Sequence, residues 1–196
     1  MHTPNTEPTD EIGRLYFDLK SGGYEPKLIK EELTVFHGTS EANAKIIVES
    51  QHILETSEKD GRLGRGAYFY ENVPVPGPEM ARAWAKYRRG YPSQAVVAAV
   101  IRSEGIWDLT LGGNRAYFQV VLDWYVATVR RVKPDRIADI RVPNVVKFIL
   151  ATCPERAQIQ CVRWDGFRLD EINVKRQRGL VVREAKCIAK LWLYTE

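Results

Sequence analysis

Two short stretches set glycine beside side chains that can do chemistry. "FHGT" (36–39) puts an imidazole, a residue without a Cβ and a hydroxyl in succession, and "GRGAYF" (64–69) places two glycines ahead of an aromatic strand. A glycine lets a ligand approach the main chain closely. Neutral imidazole carries one donor and one acceptor, and a phenol ring presents an electron-rich face. Taken singly, a hydrogen-bonded structural histidine and a hairpin turn explain these stretches as well as a ligand does. "GRLGRG" has neither the spacing nor the following lysine of a Walker loop, which disfavours phosphate cradling by that device.

The elements that must position these residues follow from periodicity. "LTVF" reads as a buried strand that ends on His37 and turns on Gly38, and Ser40 can cap a helix whose apolar residues Ala44, Ile47 and Val48 share a face. "AYFY" (67–70) is a short strand whose alternation sets Tyr68 and Tyr70 on one face and Phe69 on the other. Pro78 opens a helix that Gly90 closes. "QAVVAAVI" and "IWDLT" read as two strands. A long amphipathic helix carries Phe118, Val121, Leu122, Tyr125 and Val129, and "VPNVVKFILATC" forms another. "AQIQCVRW", "LVVR" and "CIAKLWLY" return to strand patterns. Strands at both ends with helices between predict an α+β fold.

At 196 residues and 44% hydrophobic, the chain has the size of one well-packed domain, taken as 13–196 after a flexible N-terminal segment, 1–12. "ENVPVPGPE" (71–79) is the other stretch expected to be flexible. No apolar run is long enough to cross a bilayer and no signal-peptide pattern opens the chain, so a protein without a membrane partner, cytoplasmic or delivered into a target cell's cytoplasm, is expected. Three cysteines, Cys153, Cys161 and Cys187, without a CxxC pair, point to buried thiols rather than to a disulfide framework or a metal site. The net charge of +4 gathers in "KYRRG", "VRRVKPDR" and "NVKRQRG" and is compatible with a nucleic-acid or other acidic partner.

In this order, "FHGTSEANAKIIVES", "GRLGRGAYFYEN" and "MARAWAKY" resemble the ADP-ribosyltransferase superfamily, in its poly(ADP-ribose)-polymerase-like branch with a His-Tyr-Glu or His-Tyr-Gln active site. The resemblance is carried by residues 33–88. It implies an ADP-ribosyltransferase-like fold of two small antiparallel or mixed sheets, with flanking helices around an NAD cleft. NAD would be co-substrate, with no metal. His37 would hydrogen-bond the adenosine-side ribose, Gly38 would hold the nicotinamide carboxamide through its backbone with Thr39 beside it, and Tyr68 would stack on the nicotinamide. Trp84 or Tyr87 would supply a second aromatic wall, although Ala81, Trp84 and Ala85 equally suit a packed helix face.

The implied reaction is mono-ADP-ribosyl transfer: the nicotinamide–ribose bond breaks through an oxocarbenium-like transition state, and a Glu or Gln on a late strand orients the ribose and stabilises the developing charge. Aligned on "NVKRQRGLVVREAK", that position is Gly179. Gln177, two residues earlier and on the same strand face, is the residue taken for the role, with Glu171 and Glu184 as alternatives. The acceptor would be a protein side chain, RNA or DNA. A bare domain of this kind resembles a toxin, effector or anti-phage factor, for which an antitoxin or immunity protein would be a partner. Outside this class, the same residues suit an NAD- or ADP-ribose-binding module without turnover, and the basic runs suit a nucleic-acid-binding domain, a reading that leaves the His-Gly and Gly-Tyr corners unexplained.

Overall fold

The computed structural model describes residues 10–57, 63–169 and 174–195. These divide into two compact units, one formed by the chain up to Lys27 together with Leu111–Gln158, the other by Leu28–Thr110 and Ile159–Glu196. In chain order the helical segment interrupts the strand-bearing one. Two of the three boundaries fall beside glycine or proline, in "SGGYEPK" (21–27) and at Gly112-Gly113, although the sequence by itself reads as one continuous domain.

The helical unit holds α1 (Glu11–Ser21), α4 (Gly112–Val132) and α5 (Val142–Thr152). Asp10 caps α1 by accepting from the Gly13 N–H at 2.7 Å. Leu15 and Leu19 are buried, and the hydroxyls of Tyr16 and Thr152 meet at 2.7 Å. The buried stripe of α4 is Asn114, Tyr117 and Val121; of the expected line Val121 is fully buried while Phe118, Leu122, Tyr125 and Val129 are half-buried, a shift toward the side that carries Asn114. The shift follows from Asn114, whose amide bonds both the N–H and the carbonyl of Lys27, at 2.7 and 2.8 Å, and so turns that side of the helix inward.

The second unit is built on six strands: β1 (Leu28–Ser40), β2 (Ala67–Tyr70), β3 (Gln94–Asp108), β4 (Cys161–Leu169), β5 (Val174–Val182) and β6 (Ile188–Leu193), with α2 (Glu41–Ser50) and α3 (Gly77–Tyr87) between the early strands. They form one sheet in the order β1-β2-β5-β4-β3-β6, and β1 also pairs with β3, so five strands close into a ring and β6 extends it. The expectation of two small sheets is corrected here. "QAVVAAVI" and "IWDLT" are one continuous 15-residue strand, long enough to pair with β1 along one edge and with β6 and then β4 along the other. All pairings are antiparallel except β3–β4.

One face of this sheet, with Val35, Phe69, Val97, Ala99, Leu180 and Val182, makes a core against Ala44 and Ile47 of α2. All three cysteines are buried free thiols. Among the described residues no helix is long and apolar enough to cross a membrane.

Candidate functional site

β1 does not end at His37. It runs on to Ser40, with His37 opposite Val97 and Gly38 opposite Val96, and Ser40 then caps α2 as expected. Gly38 therefore makes no turn. A Cβ there would lie 1.7 Å from the Ala81 carbonyl oxygen, so the glycine is what lets α3 lie against the strand.

β1 and β2 are in register at a single pair, Phe36 and Tyr70. Beyond it the two strands part, and the His37 side chain occupies the opening: its Nδ1 meets the Tyr68 carbonyl oxygen at 2.9 Å. A carbonyl only accepts, so Nδ1 carries the proton and Nε2 is left as an acceptor. Burial, opposed by this bond and reinforced by the charge of Arg89, holds the His37 pKa below its ordinary value. The imidazole is therefore neutral at physiological pH.

A cavity of about 700 Å³ lies at this opening, within the range of small-molecule sites. His37, Gly38, Thr39, Tyr68 and Trp84 all line it. Tyr68 and Tyr70 share the cavity side while Phe69 joins the core, as the alternation predicts. Tyr70 and Trp84 are tilted neighbours, their ring centroids 6.1 Å apart. The Tyr68 hydroxyl accepts from Leu63 N–H at 2.7 Å and donates to the Gly64 carbonyl at 2.8 Å, which ties the glycine-rich stretch to β2. Gly66 is also required, since a Cβ there would meet the Val182 carbonyl at 2.6 Å.

Tyr87 is not brought into the cavity. It is the last residue of α3, exposed, with the Lys86 ammonium over its ring. The aromatic wall comes instead from Tyr91. Gly90, at φ +67°, reverses the chain after α3, with its N–H donating to Lys86 and that of Tyr91 to Ala85, and this carries Arg89 and Tyr91 to the cavity. The signal lay in "RRGY", a helix-closing glycine followed at once by an aromatic. Glu55 was also missed. It lines the cavity beside a bridge between Thr56 and Gly66 and is paired with Arg65 at 2.5 Å.

Gln177 does not line the cavity. It is fully buried, its amide nitrogen donating to the carbonyls of Glu71 (2.5 Å) and Val75 (3.1 Å) while its oxygen accepts from the Val75 N–H (3.3 Å). With the Arg178 N–H bonded to the Val73 carbonyl, these contacts clamp the 71–76 stretch, which proline content alone marked as flexible. Gly179 stands opposite Tyr70 on the neighbouring strand. Glu184 lies after β5 and pairs with Lys186; Glu171 lies outside the described residues. Replacing Gln177 with alanine strands up to three part-buried backbone groups. A loss of about 2–3 kcal/mol in unfolding free energy is expected, readable by urea titration.

Among the described residues no group of His, Cys, Asp or Glu is placed to hold a metal ion. Set against family models, curated proteins and solved structures, the chain matches none of them.

Proposed function

We propose that this protein is an NAD-dependent mono-ADP-ribosyltransferase whose NAD cleft is the cavity where β1 and β2 part. The observation that carries the reading is the His37–Tyr68 bond at that opening: two residues from separate motifs meet on one ligand-sized cavity. The sheet order β1-β2-β5 supports it, because the strand assigned the third residue by the resemblance adjoins the tyrosine strand. His37 Nε2 accepts from a ribose hydroxyl, and the rings of Tyr68, Trp84 and Tyr91 flank the nicotinamide. Exposed apolar side chains of Ile46 and Leu54 on the cavity suit the other base. The acceptor is a protein side chain or a nucleic acid, and the basic runs favour the latter.

His37→Ala is expected to weaken NAD binding by about 1–2 kcal/mol, read by calorimetry. In the wild type, affinity should stay level from pH 8 down to the ordinary histidine range and fall only below it, as protonation removes the Nε2 acceptor. The lowered pKa acts on stability in the same direction. The unfolded chain takes up the proton first, so stability supplied by neutral His37 is full above about pH 6.5 and declines below.

Glu55 is the only carboxylate among the described residues that line the cavity. If it faces the ribose in the transition state, Glu55→Gln should cut nicotinamide release by about 10²-fold with NAD affinity nearly unchanged, since an amide stabilises developing positive charge less than a carboxylate. Release of nicotinamide with mass added to protein or RNA supports transfer. The commitment of Gln177 to the 71–76 backbone, and the glycine at 179, favour a second reading: a module that binds NAD or ADP-ribose without turnover. Saturable NAD binding without nicotinamide release selects it.

A further inference from the structure

We propose that Arg89 is the diphosphate-binding residue of the cavity, which makes the site selective for dinucleotides and nucleoside diphosphates over their neutral fragments; this rests on the NAD-cleft reading above. Of the described residues lining the cavity, Arg89 is the only arginine or lysine. The two histidines there are His37, held neutral, and His52, exposed at the end of α2. NAD carries its negative charge solely on the diphosphate, so charge complementarity has one address.

The placement of Arg89 is determined by the chain around it. Its N–H donates to the Trp84 carbonyl at 3.3 Å, and the Gly90 N–H to the Lys86 carbonyl at 3.1 Å, which fixes the base of the side chain at the helix end. Its side chain makes no ion pair or hydrogen bond with any described residue, in contrast to Arg65, Arg131 and Arg163, each held by a carboxylate. The charge is close enough to His37 to disfavour protonation of the imidazole, so the guanidinium and the ribose-binding nitrogen serve one ligand. A planar guanidinium donates two parallel N–H bonds to phosphate oxygens, which an ammonium cannot do. Polar groups of Asn43 and Ser50 line the same cavity from one face of α2.

Titration calorimetry with NAD, ADP-ribose and ADP, and with adenosine and nicotinamide as uncharged fragments, tests the assignment. Arg89→Ala should weaken all three diphosphates about 10- to 100-fold, leave the fragments within about 2-fold, and flatten the salt dependence of NAD binding. Arg89→Lys should recover only part of the loss. Circular dichroism and the unfolding midpoint check that each variant is folded. Unchanged diphosphate affinity in folded Arg89→Ala overturns this proposal and leaves the cleft reading standing, as does an equal loss for the uncharged fragments. Failure of the wild type to bind any of the three diphosphates overturns both.

Discussion

Arg163→Ala is expected to cost about 3–5 kcal/mol of stability, a large part of the roughly 5–15 kcal/mol by which a folded domain is stable. The guanidinium is buried and meets three carboxylates: Glu71 at 2.7 Å, Asp108 at 3.0 Å and Glu31 at 2.7 Å. Asp108 is as buried as the arginine, Glu71 nearly so, and Glu31 is partly exposed and therefore contributes least. Arg163 belongs to β4, Glu31 to β1 and Asp108 to the end of β3, and Glu71 directly follows β2, so one side chain ties together segments on or next to four of the five ring strands. Removing it leaves two acids buried with a cation gone, and burial already holds the Glu71 pKa above its ordinary value with Arg163 in place. Chemical denaturation gives the loss directly. Arg163→Ala combined with Asp108→Asn and Glu71→Gln should recover part of it, because the uncompensated charge is the larger share of the cost. No recovery would place the loss in packing instead.

Gly38→Ala is expected to lose about 3 kcal/mol or more, since the added methyl meets backbone rather than a side chain able to move away. The Ala81 carbonyl carbon would lie at 2.5 Å, with the oxygen nearer still, and α3 would have to lift off β1. Trp84 and the turn bearing Arg89 and Tyr91 move with that helix, so NAD affinity should fall together with the unfolding midpoint. A variant that keeps its midpoint but loses NAD would instead assign Gly38 to backbone contact with the ligand, the role the resemblance implies.

Much of the order of elements from β1 onward was legible in the residues because each segment carries its own period: Tyr68 and Phe69 on opposite faces, a serine cap before α2, a proline opening α3. α1 was missed, and β3 looked like two strands. That His37 and Tyr68 line a cavity was legible because each stands within two residues of a glycine in a short motif. Three things needed the tertiary structure. Gly38 looked like a turn, and only the position of Ala81 shows that it admits a helix. Gln177 had the right residue type and strand parity, but whether a side chain faces a cavity or a backbone loop depends on segments a hundred residues away, here Glu71 and Val75. Arg89 and Tyr91 belong to no functional motif: Arg89 is placed by the end of α3 and Tyr91 by the chain reversal at Gly90, and that both line the cavity depends on how α3 lies against β1. Local sequence determines period and capping, which are interactions among neighbours in the chain. Which side chains converge on one cavity is decided by the closing of β1 on β3 and the parting of β1 from β2, and those are long-range pairings that no single segment encodes.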